Sequence, residues 1–104
     1  MLHQALKIAL IGLLAAVSAP GIARADPKQG GQIARQWCSS CHVVAANQGG
    51  AVLQGPPSFP SVSRSGMTAA QLHAFLSHPH APMPDLALTR AEIDDLIDYI
   101  ESLR

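Results

Sequence analysis

The pentapeptide Cys38-Ser39-Ser40-Cys41-His42 has the form C-x-x-C-H, the signature of covalent haem attachment. The spacing has a physical reason. On a helical turn, positions i, i+3 and i+4 share one face. Both thiols can therefore reach the two vinyl groups of one porphyrin, and the His42 imidazole points at its iron as proximal ligand. Cys38 and Cys41 are the only two cysteines in the chain, so none is left for a structural disulfide. The rival readings of the pair are weaker. A thioredoxin-like dithiol requires a βαβ context that the pattern lacks. A zinc site using two of His73, His78 and His80 requires a far wider gap after Cys41 than a zinc finger allows. A plain disulfide leaves His42 without a purpose.

Working back from the motif, the first 25 residues read as a secretory signal. Lys7 supplies positive charge, Ile8 to Val17 an apolar core, and Ala23-Arg24-Ala25 an A-x-A cleavage site. The apolar run is shorter than the roughly 20 residues that span a bilayer. The expectation is a signal peptide over 1–25 and a mature domain over 26–104, in the periplasm, with no stable membrane insertion. Haem c is attached outside the bacterial cytoplasm, so export and motif support each other.

The mature domain would be small, and its only aromatic residues are Trp37, Phe59, Phe75 and Tyr99. So short a chain buries little apolar surface on its own, and a porphyrin would supply the missing core. Without Lys7 and Arg24, five basic residues face seven acidic ones, and Glu92, Asp94, Asp95, Asp98 and Glu101 crowd one segment. With no basic patch, nucleic acid is not an expected partner. The acidic run reads as a solvated helix face.

Three helix starts are legible. Asp26-Pro27-Lys28-Gln29 offers an N-cap, a proline at N1 and a glutamine at N3 to close a capping box. Thr68-Ala69-Ala70-Gln71 is a second box, with Met67 and Leu72 as its hydrophobic staple; Leu72, Phe75 and Leu76 form the stripe, and Pro79 stops the helix by His78. Thr89-Arg90-Ala91-Glu92 is a third, stapled by Leu88 and Ile93. It leads the apolar stripe Ile93, Leu96, Ile97, Ile100 and Leu103. The stretch from Asn47 to Gly66, with Gly49-Gly50 and Gly55-Pro56-Pro57, reads as loop, with room for a short helix at Phe59 to Ser63. No alternation of period two argues for a sheet. The fold class is all-α, three main helices packed around one covalently bound haem.

The iron needs a second axial ligand. Candidates are Met67, Met83, His73, His78 and His80. Met83 lies in Ala81-Pro82-Met83-Pro84-Asp85, where prolines suppress helix and stiffen the loop. A thioether held there meets the iron at little entropic cost, which favours Met83. Met67 already has a packing role as the staple residue. His73 is expected on the exposed side of its helix, and His78 and His80 in the loop at the haem rim.

With these residues in place the chain resembles small bacterial class I cytochromes c over nearly all of 26–104. Gly30, eight residues before Cys38, matches the glycine at which that family's first and last helices cross. Pro82-Met83-Pro84 looks like its methionine loop. Asp95-Leu96-Ile97-Asp98-Tyr99-Ile100 resembles its closing helix, in which Leu96 and Tyr99 would meet the first helix. Gly55-Pro56-Pro57-Ser58-Phe59 resembles the loop whose proline carbonyl accepts the proximal histidine's other N–H, which leaves Pro56 or Pro57 as acceptor. Ala34 stands where the family often has an aromatic, and Trp37 is placed to supply replacement packing. Arg35 and Arg64 are candidates for the haem propionates.

The resemblance implies a monomeric electron carrier that passes single electrons between redox protein partners and is not an enzyme. Histidine plus methionine closes the iron and raises its reduction potential. Two rival functions are an open-site haem protein that binds gases or peroxide, and the electron-donating subunit of a periplasmic dehydrogenase.

Overall fold

The computed structural model describes residues 24–48, 55–79 and 81–104. The apolar core of the expected signal, Gly49-Gly50 and His80 lie outside the described residues. Among the described residues the structure is helical, with no strand: α1 (Pro27–Ile33), a π-helical turn (Ala34–Cys38), α2 (Phe59–Ser63), α3 (Ala69–Ser77) and α4 (Arg90–Glu101). None of these helices is long and apolar enough to cross a membrane.

Each helix starts at a side-chain cap. Thr68 Oγ1 accepts from Gln71 N at 3.1 Å, and Gln71 Oε1 accepts from Thr68 N at 2.8 Å. Thr89 and Glu92 close the same box on α4 at 3.2 and 2.7 Å. Such boxes satisfy backbone N–H groups that the helix leaves without partners. The Ser58 hydroxyl caps α2, accepting from Ser61 N at 3.2 Å. The first helix departs from expectation. Asp26 is its cap, but its carboxylate accepts from Lys28 N, and Gln29 does not close the box. The Asp26 N–H donates instead to Asp95 of α4, at 2.7 Å.

Helix α4 organises the rest, packing against α1, α2 and α3, with the α1 contact by far the largest. Its stripe Ile93, Leu96, Ile97 and Ile100 is buried together with Ala34, Val44, Phe59 and Leu72. The crossing with α1 is made at glycines. A Cβ on Gly30 would overlap the Asp95 carbonyl oxygen and lie 2.8 Å from Tyr99 Cβ. One on Gly31 would come within 3.1 Å of the Tyr99 ring. Helix α3 ends at Ser77, one residue before the His78–Pro79 bond, as proline sterics require.

Two side chains sit differently from the sequence reading. Phe75, expected in the α3 stripe, is 40% exposed. His73 is not on the solvent side. It faces α4, with Nε2 enclosed 3.9 Å from Asp94 Oδ1, and Nδ1 3.2 Å from Ser77 Oγ. Helical periodicity could not show this, because the angle between α3 and α4 decides which flank of each stripe is covered.

Candidate haem site

The C-x-x-C-H motif sits where the first helix ends. The last turn before it is π-helical, a wider turn that often marks functional positions. The chain then closes tightly: Cys41 N and His42 N both donate to the Cys38 carbonyl, at 3.1 and 2.9 Å. The three chemically capable residues are thus held on one turn. Cys38 and Cys41 are free thiols. Burial pushes the Cys38 thiol up to about 11, with the neighbouring Cys41 adding to the rise. A catalytic dithiol needs a thiolate, which burial disfavours at Cys38.

His42 is oriented from outside the motif. Its Nδ1 donates to the Pro57 carbonyl at 2.7 Å, since a carbonyl can only accept. Of the two candidate prolines, Pro57 therefore makes this contact. The bond places the proton on Nδ1 and leaves Nε2 as the basic nitrogen. The His42 ring also packs against Phe59, with centroids 5.4 Å apart and planes tilted by 48°.

The segment after His42 is fastened by contacts that sequence reasoning missed. Phe59 N donates to the Val43 carbonyl at 2.8 Å. Gln48 Oε1 accepts from Val44 N at 2.7 Å, while its Nε2 donates to the His42 carbonyl at 3.4 Å. Tyr99 Oη, from α4, donates to the Val44 carbonyl at 2.6 Å. No local pattern announces a bond between residues 55 apart. Tyr99→Phe is expected to cost about 1–2 kcal/mol by leaving the acceptor of buried Val44 without its partner. Guanidinium unfolding of the holoprotein would measure it, and an unchanged midpoint would show that the bond contributes nothing.

The sulfur candidates separate by packing. Met67 is half-buried against the apolar core, consistent with a staple, whereas Met83 is half-buried without belonging to that core. The Met83 loop is ordered locally: Asp85 Oδ1 accepts from Ala87 N at 2.8 Å, and Ala87 takes a left-handed φ of 51°. His78 is an exposed cap residue at the end of α3. Arg35 and Arg64 are both exposed.

These residues fit a haem. Two unpaired thiols and an imidazole with one nitrogen engaged and the other basic share a turn, beside the large exposed apolar surface of Trp37. Among the described residues no cluster of three or more His, Cys, Asp or Glu could hold a bare metal ion instead.

Comparison with known proteins points the same way. The family described as cytochrome c oxidase, cbb3-type, subunit III matches residues 25–100. Cytochrome c-552 of Bradyrhizobium diazoefficiens is 39% identical over 104 residues, covering 99% of each chain. No solved structure matches. With a family match over most of its length and a relative aligned from end to end, this chain belongs to the small mono-haem class I cytochromes c, electron-transfer proteins with one covalently bound haem c.

Proposed function

We propose that Cys38 and Cys41 carry the haem thioethers, that His42 and Met83 are the axial ligands, and that the protein shuttles single electrons between redox partners in the periplasm. The observation that carries this reading is the 2.7 Å bond from His42 Nδ1 to the Pro57 carbonyl, which leaves Nε2 for iron. A bound haem would supply the one-electron redox chemistry. The chain's own residues set its conditions. The Pro57 carbonyl fixes the tautomer and orientation of His42, and Phe59 limits rotation of its ring. The Met83 thioether, on a loop bounded by Pro82 and Pro84, would ligate the iron opposite His42 and favour its reduced state. With both axial positions filled by protein, no site remains for a substrate, and turnover of one is not expected. Export follows from the signal over 1–25, with cleavage after Ala25 leaving the domain 26–104.

The partners would be redox proteins meeting an exposed haem edge through a small, transient contact. A monomer on gel filtration indicates a free carrier. Co-elution in a larger complex indicates a fixed electron-donating subunit.

Met83→Ala tests the ligand. It is expected to abolish the far-red iron–thioether absorption band, lower the reduction potential and admit carbon monoxide to the ferrous form. Met67→Ala is the control, losing only staple packing, about 1 kcal/mol. Retention of the band in Met83→Ala, or its loss in Met67→Ala, would overturn the assignment. If neither variant changed the spectrum, His78 and His80 would take its place, and the high-potential carrier reading would fall with it.

A further inference from the structure

The cap of the first helix is completed from elsewhere in the chain. On α3 and α4 the N3 side chain returns to the cap N–H. On α1 the residue at that place is Gln29, yet the Asp26 N–H reaches 69 residues along the chain to Asp95 Oδ1 at 2.7 Å. This nitrogen is also the atom that cleavage after Ala25 would change. Hydrolysis consumes one water: the leader departs with the Ala25 carboxylate, and Asp26 keeps the amine, which takes up a proton. An amide donor then becomes a cation at an atom already in hydrogen-bond contact with a carboxylate. Charge-assisted bonds of this kind are about twice as strong as neutral ones.

The surroundings favour the cation on two grounds. A positive charge at a helix N-terminus opposes the macrodipole, so it needs anions beside it. Asp26 and Asp95 provide them, each within 3 Å of a backbone nitrogen of this first turn. Helix α4 is also short of positive charge, carrying Glu92, Asp94, Asp95, Asp98 and Glu101 against Arg90 alone. Ala25, which cleavage removes, lines a cleft of about 510 Å³ with His73, Arg90, Asp94, Asp98 and Glu101. These, with Lys28 on α1 itself, are the charged and titratable groups around the new terminus.

We infer that signal cleavage completes the α1–α4 interface: the α-ammonium of Asp26 pairs with the Asp95 carboxylate and locks the two helices together in the mature protein. The acidic run on α4 then has a role beyond solvation. This inference rests on the export reading, and its test separates the two.

The exported holoprotein is first sequenced from its N-terminus, and Asp26 is the expected first residue. It is then compared with its selectively Nα-acetylated form by guanidinium unfolding. Acetylation is expected to lower the folding equilibrium constant about fivefold at pH 6, the upper range for an exposed ion pair. In Asp95→Asn the same treatment should not lower that constant, because acetylation there only removes a charge that opposes the helix dipole. The sign of the pH dependence follows from the charge. The pairing is present while the amine is protonated and is lost as pH rises past about 8, where α-amino groups titrate, so the two forms converge at high pH. A first residue other than Asp26 overturns both the cleavage site and the ion pair. Asp26 in first place, with no effect of acetylation or an equal effect in Asp95→Asn, overturns the ion pair and leaves export standing. The pH arm needs no variant and decides the matter even if Asp95→Asn does not fold.

Discussion

Serine at both Cys38 and Cys41 is expected to abolish covalent haem attachment completely. The two thiols lie on one turn with His42, closed by two bonds to the Cys38 carbonyl, so one cofactor could reach both. Serine keeps the size and turn geometry but cannot form a thioether. Acid–acetone extraction followed by an absorption spectrum of the protein pellet reads the result directly. Haem retained in the pellet of the double variant would rule out attachment at these residues. A second loss should follow the first. The described core is small, made chiefly of Ile93, Leu96, Ile97, Ile100, Leu72, Phe59 and Val44, while Trp37 and Phe75 remain exposed. A tightly bound group that recognises only the folded state stabilises it by several kcal/mol or more, by mass action. The haem-free variant should therefore lose cooperative thermal unfolding. Native-like melting without haem would show that the helices support one another unaided.

Gly30→Ala is expected to destabilise the protein by about 3 kcal/mol, lowering its melting temperature by roughly 10–20 °C. Two effects oppose each other here. In a free helix, alanine is better than glycine by about 1 kcal/mol. At the α1–α4 crossing, however, the new methyl group would overlap the Asp95 backbone carbonyl and crowd Tyr99 Cβ at 2.8 Å. Backbone atoms cannot swing aside as a side chain can, so the helices must separate. Separation would also stretch the Asp26–Asp95 bond and shift Tyr99 away from Val44. Gly31→Ala is the internal comparison. Its Cβ meets Arg35 Nη1 and the Tyr99 ring at 3.1 Å, groups able to yield, so a loss of about 1 kcal/mol is expected. Thermal melts of the two holoproteins side by side measure the difference. Equal stability of Gly30→Ala and the parent would mean that the helices do not cross at this residue.

Elements governed by local chemistry were legible from the sequence. The caps at Thr68 and Thr89 need only a hydroxyl and an N3 side chain three residues on, and both boxes form. The α4 stripe follows from its helical period, and its central positions are buried. The tight turn of Cys38 to His42, the end of α3 before Pro79 and the short helix at Phe59–Ser63 belong to the same class. What failed or stayed hidden depends on groups that meet across the fold. Gln29 has the right spacing for a box, but Asp95 takes its donor. His73 turns toward Asp94 because α3 and α4 pack on that flank.

Two adjacent prolines are equivalent in sequence, and only the path of the loop brings the Pro57 carbonyl to His42. Capping, helical period and proline sterics act within about four residues, so the sequence by itself determined the helices, their ends and the turn from Cys38 to His42. The tertiary structure alone decided which carbonyl orients the imidazole, which backbone carbonyl the Tyr99 hydroxyl fastens and which carboxylate receives the first helix. Those choices join residues 15, 55 and 69 positions apart, and they depend on the path of the loop and on how the helices cross.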